Sequence, residues 1–170
     1  NAAAGGMIWA SDRYGIAENC MSCHGLNNAK LDGKTLSAML KGGHPLNPDF
    51  ELVRYSQGSI RHRFYEPNAA VNAEMSAAEL SVLFVEGQAA KLVSASDALT
   101  KSDDAKYQAG QKARLEGAKA ALSALKSVPE AAALLAAPSA GNARKLVAAI
   151  AGKDLTAEVG AMLPKKVDYE

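Results

Sequence analysis

The chain has 170 residues, of which 48% are hydrophobic and 22% charged, and a formal net charge of +1; it can bury an ample core, and its charge balance points neither to nucleic acid nor to an anionic membrane. Aromatic residues make up only 5%, and alanine fills the shortfall, which favours helix. No stretch approaches the roughly 20 consecutive apolar residues that cross a bilayer.

The first residues, Asn1-Ala2-Ala3-Ala4-Gly5-Gly6, carry no basic and apolar leader, as expected of a processed chain. Ser11 and Asp12 then predict the cap of a helix running into Cys20, with Trp9, Ile16 and Ala17 available for its buried side. At the C-terminal end of that helix stands Cys20-Met21-Ser22-Cys23-His24. Two cysteines three apart lie on one turn, where each thiol can add to a vinyl group of a haem while the adjacent imidazole faces the iron. The motif therefore predicts one covalent haem c, with thioethers at Cys20 and Cys23 and His24 as proximal ligand. Two other readings of the cysteine pair stay open. A structural zinc site would need both His44 and His62, because the chain has no further cysteine. A redox dithiol would need a βαβ setting that the sequence lacks. Haem is attached to C-x-x-C-H outside the bacterial cytoplasm in cytochromes, so the motif predicts a periplasmic or otherwise extracytoplasmic address.

Beyond the motif, Gly25 to Gly33 reads as a loop, and Thr35 to Leu40 as a short helix closed by Gly42-Gly43. From His44 to Glu74, three prolines (Pro45, Pro48, Pro67) and the asparagines Asn47, Asn68 and Asn72 predict a long irregular stretch, suited to cover the distal side of a haem. Inside it, Ile60-Arg61-His62-Arg63-Phe64-Tyr65 alternates like an extended segment with His62 and Phe64 on one face. Ser76-Ala77-Ala78-Glu79 is a capping box that opens a helix through Leu80, Leu83 and Phe84.

This order of elements resembles class I cytochrome c over about residues 8–95. The likeness is specific at Cys20, Cys23, His24 and Gly25 and looser at Met75 to Leu80. It implies a mainly helical haem domain over residues 1–97, first and last helices crossing beside the haem, and single-electron transfer. Ile16 stands where the family has an aromatic residue, and Leu26 to Leu31 lacks the proline whose carbonyl usually orients the proximal histidine. Met75 and His62 are the candidates for sixth ligand, and an open site is a third possibility. Met75 also fits a hydrophobic staple on Leu80. His62 sits between two arginines that favour its neutral form. His44 reads as a loop residue. Arg61 and Arg63 are candidates to pair with haem propionates, and Trp9, Tyr55, Phe64 and Tyr65 for the pocket wall.

Near residue 97 the composition turns to Ala, Leu and Lys, and Cys and His vanish. Residues 98–170 predict a small helical module. Leu115, Ala118, Leu122 and Leu125 form an apolar stripe on a helix within Asp103 to Val128, with Lys and Arg on its other side. Pro129 starts a helix stopped by Pro138, Asn142 caps another to Ile150, and Asp154 or Thr156 begins a last one ended by Pro164. The Leu115/Leu122 stripe suits a homodimer or a larger complex. Tyr107-Gln108-Ala109-Gly110 resembles the start of a second cytochrome-like domain that has lost its haem.

The whole reads as an all-α protein: a class I cytochrome c-like haem domain followed by a helical extension. The expected function is that of an electron carrier meeting redox partner proteins, not an enzyme, since no G-x-S-x-G, phosphate loop or dinucleotide fingerprint occurs. The alternatives are a gas-binding sensor with a weak or absent sixth ligand, and a haem subunit of a larger oxidoreductase.

Overall fold

Side-chain caps set where most of the helices start. In the computed structural model of the chain, which describes residues 6–58 and 74–170, Asp12 accepts the Gly15 N–H at 3.0 Å and opens α1 (Arg13–His24). Asp32 accepts from Thr35 N at 2.7 Å and opens α2 (Gly33–Lys41), which ends on Gly42 and the left-handed Gly43. Glu51 caps the short α3 (Leu52–Ser56) with both carboxylate oxygens, on Val53 N and Arg54 N. Ser76 and Glu79 exchange side-chain and backbone bonds in the expected capping box and open α4 (Ala77–Ala98).

The second half continues with α5 (Ala105–Leu122), α6 (Pro129–Ala136), α7 (Ala140–Ile150) and α8 (Thr156–Val159), then short 3-10 turns at Gly160–Met162 and Lys166–Asp168. The described residues are all-α, with no strand among them and no helix among them long and apolar enough to cross a membrane.

α4 is the axis of the fold. Its residues from Ser81 to Leu92 are buried on every side, so it has no single apolar stripe. α1 and α3 pack on it from the first half of the chain, and α5, α7 and α8 from the second. Gly87 lets α3 approach, since a Cβ there would stand 2.9 Å from Leu52 Cγ. Val82 to Val85 of α4, Tyr14, Ala17 and Met21 of α1, and Ala118, Leu122, Leu134, Leu146 and Ile150 of the second half belong to one buried cluster. The core is thus continuous across the change of composition near residue 97. Inside it, Arg13 of α1 pairs with the buried Glu86 of α4, and burial raises that carboxyl's pKa against the pull of the guanidinium.

Several local expectations are revised. Trp9 is 56% exposed, preceding the cap in a turn closed by Asp12 N on Trp9 O; Ala17 is buried as expected, Ile16 is half-buried, and Tyr14 and Met21 complete the buried side of α1. α3 interrupts the stretch read as irregular. α5 stops at Leu122, and α7 starts on Ser139, whose hydroxyl accepts from Asn142 N at 3.2 Å. Leu122 is 1% exposed inside the chain's own core, with Leu115 half-buried beside it.

Candidate haem-attachment site

Cys20, Cys23 and His24 occupy the last turns of α1, on one helical face. Cys20 is half-buried and Cys23 exposed. Both Cys20 and His24 line a cleft of about 460 Å³ whose other walls are Ile8, Ile16, Asn19, Phe50, Leu52, Tyr55 and Ser56. The His24 imidazole lies flat on Phe50, with ring centroids 3.9 Å apart and planes 5° from parallel, and Tyr55 tilts against both rings. Stacking occupies a face of the imidazole and leaves its edge free; neither ring nitrogen has a hydrogen-bond partner among the described residues. Burial lowers the His24 pKa, which keeps the ring neutral at neutral pH as a metal ligand must be, and burial raises that of Cys20, which stays a thiol.

The chain leaving the motif is held by α5. Leu26 N donates to Cys23 O at 2.9 Å and Asn27 N to Ser22 O at 3.0 Å, a Schellman closure that puts Leu26 at φ 46, where glycine is usual. A leucine in that conformation costs about 1–2 kcal/mol, offset by its burial among Leu36, Leu40, Ala98 and Tyr107. Gln111 Nε2 donates to Gly25 O at 2.9 Å, Arg114 Nη1 to the same oxygen at 3.2 Å, and Tyr107 Oη to Leu26 O at 2.9 Å. Three side chains of one α5 face thus meet the carbonyls that the end of a helix leaves unpaired. Gly25 is required for this approach, because a Cβ on it would stand 2.3 Å from Arg114 Nη2 and 2.3 Å from Met21 O.

On the other flank, Lys91 of α4 donates from Nζ to Phe50 O at 3.1 Å and so fixes the residue that carries the His24 stack.

Of the predicted site residues, Cys20, His24 and Tyr55 meet at one cleft. Met75 lines a separate cavity of about 260 Å³ with Leu80, Gln57 and Tyr169, at the staple position of α4. Trp9 borders a third cavity with Val82 and Val147. His44 lies in the loop after α2, with Nδ1 2.8 Å from Pro45 O. Arg61, His62, Arg63, Phe64 and Tyr65 lie outside the described residues. No three His, Cys, Asp or Glu side chains converge among the described residues, so His44 does not join the cysteine pair there.

Phe50, Lys91, Tyr107, Gln111 and Arg114 were not anticipated. A signal for three of them existed. Tyr107, Gln111, Arg114, Ala118 and Leu122 recur at intervals of four and three, which is one helical face. Arg114, assigned to the solvent side with the other basic residues, is 1% exposed on that face.

One thiol and a neutral imidazole in a mainly apolar cleft, with a second thiol exposed on the same turn of α1, are a donor set that fits a haem held covalently at the surface. No family model, curated protein or solved structure matches the chain.

Proposed function

We propose that the protein is an extracytoplasmic monohaem c-type cytochrome that passes single electrons to and from redox partner proteins. The carrying observation is the shared cleft: Cys20 and His24 open into one mainly apolar recess, with Cys23 on the same turn of α1. A haem there supplies the one-electron couple. The chain's own residues do the rest. Cys20 and Cys23 anchor, His24 ligates, Phe50 fixes the plane of the imidazole, and Ile8, Ile16 and Leu52 exclude water. Met75 and His62 stand as the candidates for the sixth position. Residues 98–170 brace the motif through α5 and leave the exposed surfaces of α6 and α7 for docking.

The test is covalent haem detection on denatured protein matured in a bacterial periplasm, followed by optical spectra with and without carbon monoxide. Haem that survives denaturation in the wild type and is lost in a Cys20→Ala, Cys23→Ala double variant supports the reading. A low-spin spectrum indifferent to carbon monoxide marks an electron carrier, and His62→Ala or Met75→Ala identifies the sixth ligand by turning it high-spin. A periplasmic chain with two free thiols and no haem overturns the proposal.

A further inference from the structure

The C-terminal half holds a buried cation that the haem motif alone does not explain. Arg114 is 1% exposed, and its partners are Gly25 O, Gln111 Oε1, Ser94 Oγ at 3.2 Å and Met21 Sδ at 3.6 Å. None of these is a carboxylate. Met21 lies between the two cysteines and Gly25 follows His24, so the guanidinium is in contact with the motif on both sides of Cys23-His24. Burial lowers its pKa to about 10, and it stays protonated at neutral pH.

We propose that Arg114 is a positioning residue for the motif whose buried positive charge, held against Met21 and Gly25, raises the reduction potential of a haem attached at Cys20, Cys23 and His24. The proposal rests on the haem reading above. Its physical basis is that oxidation adds a positive charge, which a fixed, unpaired cation nearby opposes. At an effective dielectric constant of about 20, a unit charge at ~12 Å changes an equilibrium about tenfold. Arg114 Nη1 is 3.2 Å from the carbonyl oxygen of Gly25, the residue after His24, which puts the guanidinium on the order of 10–15 Å from the imidazole. Bulk solvent screens the effect less than it would that of a surface charge, because the guanidinium is sealed between α1, α4 and α5.

The experiment is a redox titration of the full-length, haem-loaded protein at about pH 6, after haem has been counted in each variant. Arg114→Gln removes the charge and keeps hydrogen bonding. Gln111→Glu leaves Arg114 in place but sets a carboxylate against it, so the question survives if Arg114→Gln does not fold. Both are expected to move the ferric-to-ferrous ratio at fixed potential about tenfold toward ferric, roughly 59 mV for a one-electron couple. Arg114→Lys, which keeps the charge, is expected to titrate within about twofold of the wild type. Wild-type potential in the neutral and paired variants with haem still attached overturns the inference alone. So does a lysine variant displaced as far as the glutamine one, since packing would then be the cause. A wild type with no covalent haem overturns the haem reading and this inference with it.

Discussion

At the scale of single residues, the cations gathered near the motif are held at the expense of hydration. Lys91 is 5% exposed, and burial lowers its pKa to about 8, helped by Arg114 and opposed by Asp49 and Glu51. A lysine that releases its proton more easily folded than unfolded has a definite linkage sign. Between about pH 8 and 10.5 the unfolded chain binds more protons at this site, so its contribution to stability rises with pH across that window and the full penalty applies below it. Urea unfolding of the wild type and of Lys91→Met at about pH 7 and about pH 10 isolates the effect. The wild type is expected to gain relative to the variant by up to about 3 kcal/mol as pH rises. A difference between the two that does not change with pH would show that Lys91 is not desolvated as its contact with Phe50 O implies. The site itself was only partly legible at this scale. Cys20, Cys23 and His24 announce themselves by type and spacing. Phe50 and Lys91 do not, because they reach His24 through a ring stack and a carbonyl contact that no local pattern encodes.

At the scale of elements, glycines report how closely the helices approach, and two of them predict opposite outcomes. A Cβ on Gly33, at the first turn of α2, would stand 1.7 Å from Lys101 O, a backbone atom beyond the end of α4 that cannot rotate away. Gly33→Ala is expected to cost about 1–3 kcal/mol. Gly117, in the interior of α5, has nothing within 4 Å of its Cβ position, and Gly117→Ala is expected to stabilise the protein by about 0.5–1 kcal/mol. Thermal midpoints of the two variants check the pair, and a drop for Gly117→Ala or no change for Gly33→Ala would contradict the packing described. Legibility at this scale followed the local signals. The starts of α1 and α4 were readable because Asp12, Ser76 and Glu79 act on backbone within three residues. α3 was not, because Pro45, Pro48 and the asparagines masked a five-residue helix whose cap, Glu51, is an uncommon choice. The stripe of Leu115, Ala118, Leu122 and Leu125 takes in apolar residues alone, and Tyr107, Gln111 and Arg114 lie on the buried face of α5 as well.

At the scale of the whole molecule, the change of composition near residue 97 does not coincide with a gap in packing. α4 presents Leu83, Phe84 and Leu92 to a cluster that α1 and α3 complete from one half of the chain and α5 and α7 from the other. Removing α5 to α8 would strip that cluster of Ala118, Leu122, Leu134, Leu146 and Ile150, and would also unpair the carbonyls of Gly25 and Leu26. Water would replace those hydrogen bonds, but the apolar surface uncovered costs about 25 cal/mol per Å², which accumulates quickly against a total stability of about 5–15 kcal/mol. The full chain is therefore expected to lose helix in a single urea transition, with Trp9 fluorescence and far-ultraviolet circular dichroism superimposing. A chain ended at residue 98 is expected to bind a hydrophobic dye and to show no cooperative transition. Two resolved transitions in the full chain, or a cooperatively folded fragment 1–98, would mean that the Cys20–His24 motif is held without α5. The bracing contacts of Tyr107, Gln111 and Arg114 would then be incidental to it. If the single transition is observed, the helical half is a structural part of the candidate site, because the carbonyls of Gly25 and Leu26 are met by side chains that arrive 81 to 89 positions later.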